Sequence, residues 1–359
     1  MKRALKLKTP LISVYSNIAN AQGILLNYEN GRKWIAENFI NYVVYWDEKL
    51  KEIKPHFLSV SDVYLGGNYQ MFSRNIFVPY LKCYTLDKDM VEIFGGIINL
   101  IKWAVDKEYY VSFFINRKYI AAANLVDDQM HETFVYGYDD ELQEICLQDY
   151  FKRAALQEYS CSYDEIESAF LLAQDYYLAE GKKIPITDIM LMKYDDGGTK
   201  ELNREEFRKK ISRKVVIYME GENFGGKINF LHTSFEKESQ KYWGIRCYHA
   251  FIRYFRELEK TQPQTRFVVV HHLHHLFDHK KSIEFMVREF YSYDGLEEND
   301  VIIEASKLVG IAGNLRNYTL KLWVSKCKLT CNEVDVIIDM LETMKEMEKN
   351  IFNKIIEEQ

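Results

Sequence analysis

Proline is scarce in this chain, five residues in 359. Proline-rich linkers are therefore excluded, and most helices should run unbroken, because proline removes a helical N–H and kinks the rod. Cysteine shows no framework either. Six thiols, Cys83, Cys146, Cys161, Cys247, Cys327 and Cys331, are scattered along the sequence. The one close pair, Cys327 and Cys331, lacks the four ligands of a structural zinc site. Free, mostly buried thiols in a reducing compartment are the expectation. Long apolar runs are missing as well. The basic start, MKRALKLKTPLISVYS, has no unbroken apolar core for a signal peptide. The best membrane candidate, Ile93–Val105, is too short and contains Lys102. A cytoplasmic protein without a membrane partner is expected. An excess of positive charge is also absent: 47 basic residues stand against 53 acidic ones, a formal charge of −6. That removes a broad footprint for nucleic acid.

What is present is aromatic. With 26 Tyr and 21 Phe, 14% of the chain is aromatic. Tyrosine puts a polar tip on a flat apolar body, which suits wide buried surfaces or a ligand groove. The remaining composition is that of a folded chain long enough for one large or two ordinary domains.

The hydrophobic period changes along the sequence. Val14, Ile18, Ala21 and Leu25 predict a helix over 13–28, closed by Asn30-Gly31. Ile35, Phe39, Tyr42, Val43, Trp46 and Leu50 predict a second helix. Strand-like residues follow at 57–64, ending at Gly66-Gly67, and a helical pattern returns over 87–105. Tyr110–Ile115 reads as a strand. His131–Tyr138, a turn at Asp139-Asp140, and Glu144–Asp149 read as an antiparallel hairpin. Ser162 and Glu165 form the signature of a capping box opening a helix over 163–180. One more strand is expected over 184–194, and Asp195-Asp196-Gly197-Gly198 is the strongest boundary. Beyond it the pattern is helical over 201–219, 236–260, 264–291, 298–326 and 332–356. The last helix carries Val334, Ile337, Leu341, Met344, Ile351 and Ile355 on one face. No repeat of fixed period is visible, which argues against a solenoid. The expected fold class is α+β, with an all-α second part.

Two stretches carry titratable chemistry. If His131 begins one strand and Asp149 ends its antiparallel neighbour, the carboxylate can hold the imidazole in one tautomer and raise its basicity. Local capping at two hairpin ends would produce the same pair. His271, His275 and His279 fall at i, i+4 and i+8 on one helix, and Asp278 adds an oxygen. That spacing permits a metal chelate. The favoured reading is imidazoles packed in a core or interface, with a substrate-cleft role as a further alternative, and no HExxH is present. Gly66-Gly67, Gly197-Gly198 and Gly225-Gly226-Lys227 lack phosphate-loop spacing. The basic run Arg204–Lys214 reads as a solvated helix face, of a kind an acidic partner would find attractive.

Residues 131–151, HETFVYGYDDELQEICLQDYF, resemble the His/Asp half of papain-fold proteins related to C39 peptidases. More closely, they resemble the N-terminal domain of the butirosin biosynthesis protein H-like family. Residues 242–258, YWGIRCYHAFIRYFREL, and 266–286, RFVVVHHLHHLFDHKKSIEFM, are similar to the helical C-terminal regions of those proteins. The resemblance implies a papain-like cysteine-protease-type domain over 1–195, with an antiparallel sheet and an N-terminal central helix, and a helical domain over 196–359. It implies acyl transfer or amide formation on carrier-protein thioesters in specialised natural-product biosynthesis, with a small-molecule amine as acceptor and no cofactor. His131 becomes the general base and Asp149 its orienter. The family nucleophile is a cysteine at the start of the first long helix, where amides and dipole favour a thiolate. This chain has no cysteine before Cys83. The matching position is Ser16, with Ser13 and Tyr15 as neighbouring rivals, and Asn17 or Asn20 as oxyanion donors. Serine attacks thioesters poorly without strong activation. The alternative is therefore a catalytically inactive papain-fold binding protein that has lost its nucleophile, with Cys83 as the remaining rescue thiol.

Overall fold

The computed structural model describes residues 1–58, 78, 80–151, 156–173, 176–177, 183–184, 188–197, 203–221, 240–261, 266–292, 298–325 and 329–358. In chain order its elements begin with β1 (Lys2–Ala4), α1 (Ser16–Leu25), α2 (Glu29–Asn38), β2 (Asn41–Asp47), β3 (Glu52–Leu58) and β4 (Leu81–Asp87). A 3-10 turn at Lys88–Phe94 leads into α3 (Ile97–Asp106), β5 (Tyr110–Asn116), β6 (Met130–Asp139), β7 (Glu144–Asp149) and β8 (Gln157–Ser162). Next come α4 (Tyr163–Leu171), the two-residue strands β9 (Tyr176–Tyr177) and β10 (Lys183–Ile184), β11 (Asp188–Tyr194), α5 (Arg204–Glu220) and β12 (Gln240–Trp243). The chain ends in α6 (Cys247–Thr261), α7 (Arg266–Ser292), α8 (Asp300–Ser325) and α9 (Cys331–Glu357). This is an α+β protein with an antiparallel sheet and a helical C-terminal region.

The chain divides into two compact units, Met1–Tyr28 with Asn68–Thr199, and Glu29–Gly67 with Lys200–Gln359. A break close to residue 199 is where the glycine pair points, but the contiguous division 1–195 and 196–359 does not contain the excursion of residues 29–67 into the second unit.

The first unit is built on a sheet of order β4-β11-β5-β6-β7-β8, with β1 added on β6. Every described pairing in it is antiparallel. The expected hairpin is present: Asp139 accepts hydrogen bonds from the amides of Glu141 and Leu142, and that turn returns β6 into β7. A register shift between Val135 and Gly137 lets β1 lie against the strand, with Ala4 opposite Gly137. A Cβ on Gly137 would meet the Arg3 carbonyl oxygen at 2.7 Å, so only glycine permits that approach. One face of the sheet is dry. Val111, Phe113, Ile115, Val135 and Leu147 pack there with Ile97, Leu100, Ile101 and Ala104 of α3 and with Ile166 and Phe170 of α4. Each buried large aliphatic side chain contributes roughly 1.5–3 kcal/mol relative to exposure. The capping box opens α4 as expected, with the Ser162 hydroxyl on the Glu165 amide and the Glu165 carboxylate on the Ser162 amide. That helix stops at Leu171 rather than near 180.

Helix α1 is shorter than its period suggests. The Asn27 side chain donates to the carbonyls of Gly23 (2.9 Å) and Ile24 (3.1 Å), occupying the acceptors that a next turn would need. Asn30-Gly31 consequently lies inside α2 instead of closing α1.

In the second unit, the expected helix through Tyr42–Leu50 is replaced by the central strand β2, paired with β3 and β12. Asn41–Trp46 is buried throughout. A strand covered on both faces is apolar at every position and shows no two-residue period. The β-branched and aromatic run then decides in favour of strand. The strand expected at 57–64 begins early, at Glu52 in β3, and its end with Gly66-Gly67 lies outside the described residues. Gly225-Gly226-Lys227 and Cys327 lie outside them too. Helices α5 and α7 to α9 follow the expected spans, whereas α6 begins only at Cys247, because 240–243 is the short strand β12 and Gly244–Arg246 a 3-10 turn. In α9 the six expected core residues are buried, and so are Glu348 and Phe352 between them. Among the described residues all five cysteines are free thiols, and no helix is long and apolar enough to cross a membrane.

Candidate active site

The segment before α1 is held in place from two directions. Gln22, fully buried, accepts hydrogen bonds from the amides of Leu11 and Ile12 at 3.0 Å each. The Lys8 amide donates to the Gly23 carbonyl at 3.0 Å. Tyr15 takes the N-cap position with extended backbone, so Ser16 is the first helical residue rather than a cap. Its side chain is only partly buried.

Strand β6 then brings two consecutive polar residues to this region. Consecutive strand side chains leave on opposite faces, and His131 and Glu132 accordingly have different neighbours. His131 Nδ1 lies 3.3 Å from Asp149 Oδ1, the carboxylate at the end of β7. The expected proximity of imidazole and carboxylate therefore exists. It is not a private pair. Arg117, from the 3-10 turn after β5, places Nη2 on Asp149 Oδ1 and 2.7 Å from His131 Nδ1. The Glu132 carbonyl oxygen also lies 2.7 Å from Nδ1. Arginine can only donate and a carbonyl can only accept, so Nδ1 serves one of them at a time. The His131 ring stands edge-on to Tyr150, whose hydroxyl donates to the Ser13 carbonyl at 2.7 Å. Through Tyr150 the hairpin end is tied to the approach to α1.

Ser16 meets the other residue. Its hydroxyl donates to Glu132 Oε2 at 2.8 Å. Ser112 of β5 donates to Glu132 Oε1 at 2.5 Å, and Asn20 of α1 faces the same oxygen at 3.5 Å. Glu132 is only 5% exposed. Burial pushes its carboxyl above the usual range, while the bonds from Ser112 and Ser16 and the nearby His131 pull it back. Among the described residues no hydrogen bond joins Ser16 to His131. Asn20 is committed to Glu132, and Asn17 accepts the Ile18 amide at 2.9 Å.

The structure brings His131 and Asp149 together as expected, but sets Ser16 on Glu132 rather than on His131, and Glu132 and Arg117 were not among the residues expected from sequence. A signal for Glu132 was available: an acid between the strand residues His131 and Thr133, in a run that is otherwise aromatic and β-branched. Cys83 gains nothing as a rescue thiol. It sits in β4, away from any helix start, and burial pushes its thiol up to about 12.

No family model matches the chain, and no curated protein matches it.

The histidine row of α7 separates in the second unit. His271 and His275 touch through their Nε2 atoms at 3.1 Å. His279 turns elsewhere, with Nε2 on the Ile40 carbonyl (2.8 Å), Nδ1 facing Lys280 Nζ (3.1 Å), and its ring stacked on Tyr42. A lysine ammonium only donates, so the neutral ring carries its proton on Nε2. Asp278 pairs with Lys281 at 2.7 Å. Among the described residues no three His, Cys, Asp or Glu side chains converge as a metal cage.

Proposed function

We propose that the first unit is a papain-like acyl-transfer domain that takes an acyl group from a carrier-protein thioester and passes it to an amine. The observation that carries this reading is the hydroxyl of Ser16, a partly buried residue at the start of a buried helix, hydrogen-bonded to a buried carboxylate. A serine with an adjacent base is the arrangement that nucleophilic catalysis requires. The neighbouring His131, Asp149 and Tyr150 and the resemblance to the butirosin protein H-like family support the same assignment.

In the first half-reaction the Ser16 oxygen attacks the thioester carbonyl carbon and loses its proton. The C–S bond breaks, and the pantetheine sulfur leaves as a thiol. In the second, the amine attacks the resulting serine ester, the C–O bond breaks, and Ser16 regains a proton as the amide departs. His131, whose Nδ1 is engaged by Arg117 and Asp149, has Nε2 as the ring nitrogen left to serve as acid/base for the departing thiol and the incoming amine. Helix amides at the start of α1 stabilise the oxyanion.

The experiment is single-turnover acylation with an acyl-pantetheine thioester, followed by intact-protein mass. A stable mass increase on wild type, absent from Ser16→Ala, is expected. Equal acylation of Ser16→Ala would overturn the reading. One observation favours the binding-protein alternative: Arg117 neutralises the carboxylate that would otherwise serve His131 alone. Under that alternative a carrier protein binds wild type and Ser16→Ala equally and neither is acylated. A Ser16→Cys variant that gains thioester cleavage would mark the site as degenerated.

A further inference from the structure

We infer that Glu132, not His131, is the base that takes the proton from Ser16. The acyl-transfer reading supplies the substrate for this step, but the proton transfer itself stands on the geometry of the two side chains.

Three features converge on the carboxylate. First, Oε2 is the hydrogen-bond acceptor of the Ser16 hydroxyl at 2.8 Å, within the reach that proton transfer needs. Second, the carboxylate is immobilised. Ser112 from β5 and Asn20 from α1 both address Oε1, which leaves Oε2 turned towards Ser16. Third, Glu132 is buried while Ser16 is partly exposed, so an electrophile can reach the oxygen without reaching the base. An acid placed in an apolar sheet only for packing would be expensive, since a buried charge without compensation is strongly unfavourable. Here the compensating donors are the nucleophile and the two groups that aim the carboxylate at it.

His131 is unsuited to the same step. It leaves the opposite face of β6, and its Nδ1 is occupied by Arg117, Asp149 and the Glu132 carbonyl. The chemistry balances without a cofactor. The Ser16 O–H bond breaks, the proton moves to Oε2, and the oxygen's electron pair forms the bond to the acyl carbon. Protonated Glu132 returns that proton to Ser16 when the amide leaves. Among the described residues, the titratable groups that act on Glu132 are His131 on its own strand and Asp149 on β7, beside the hydroxyl donors Ser16 on α1 and Ser112 on β5. Burial places the titration of Glu132 above that of an ordinary glutamate, so Ser16 reactivity should rise with pH through an inflection higher than an ordinary glutamate's.

The test is labelling of Ser16 in the full chain by a fluorophosphonate probe, followed by peptide mass across a pH series. Glu132→Gln keeps the shape and the hydrogen-bonding oxygen, and a thermal melt establishes that it is folded. Expected is a fall in the Ser16 labelling rate of roughly a hundredfold or more with loss of the pH inflection. The inflection should persist in His131→Ala. Glu132→Asp, with a carboxylate drawn back by one methylene, should recover part of the rate. Labelling of Glu132→Gln within twofold of wild type, or an inflection that disappears with His131 instead, would overturn the inference while leaving acyl transfer by Ser16 intact. The converse result, Glu132-dependent labelling with no transfer from acyl-pantetheine, would sink the proposed function and leave this step standing.

Discussion

Asp149 is fully buried, and Arg117 at its side is nearly so, with side-chain exposures of 0% and 7%. The guanidinium also covers the Phe151 ring, so the arginine is both counter-charge and packing. Removing one member of a buried pair leaves a charge in a medium that cannot solvate it. Arg117→Met is therefore expected to destabilise the first unit by about 3–5 kcal/mol in urea unfolding. Asp149→Asn added to it should recover part of that loss, because the stranded charge is then gone. A loss below about 1 kcal/mol would mean that the pair is solvated. At this scale the sequence was half legible. His131 and Asp149 could be paired because a hairpin fixes which residues meet. Arg117 and Ser112 come from β5 and its following turn, and no local pattern ties that strand to β6. Glu132 was passed over because it stands beside the more conspicuous histidine.

The elements tell a similar story. Amphipathic helices were readable because one face is solvated and the period survives. Helix α9 also shows where the pattern carries further information. Its apolar stripe is interrupted by Glu348, fully buried, which binds Lys280 of α7 at 2.5 Å and accepts from the Tyr248 hydroxyl of α6 at 2.7 Å. Lys280 also lies over the Tyr248 ring. Burial lowers the ammonium's affinity for its proton, and Glu348 acts in the opposite direction. Such a pair defines which helix faces meet, although an apolar replacement is often as stable. Glu348→Met alone should cost about 3–5 kcal/mol by chemical denaturation. The double variant Lys280→Met with Glu348→Met should return to within about 1 kcal/mol of wild type. Failure of the double variant to recover would show that the Tyr248 hydroxyl and the Lys280–Tyr248 ring contact, rather than the Lys280–Glu348 ion pair, dominate the junction. Strand β2 was illegible for the opposite reason: burial on both sides erases the period that distinguishes strand from helix.

For the whole molecule, the decisive feature is that residues 29–67 belong to the same unit as the C-terminal helices. Local patterning reports elements and breaks between them. It carries no information on which distant segments share a core, so the glycine pair near 198 was visible and the excursion was not. Within the second unit the excursion supplies what the helices cannot. β12 has β2 as its partner strand, the His279 Nε2–H reaches the Ile40 carbonyl, and the His279 ring stacks on Tyr42. Lys214 of α5 pairs with Glu37 and donates to Asn38 of α2. A fragment of residues 200–359 would leave β12 unpaired, with an open strand edge prone to association, and would leave His279 and Lys214 without those partners. It should retain far-ultraviolet helix signal but unfold without a sharp transition and bind a hydrophobic dye, as loosely packed states do. Joining residues 29–67 to it through a flexible linker should restore a cooperative melt. If the fragment alone unfolds as sharply as the joined form, residues 29–67 are a decoration on the helical core and not part of it.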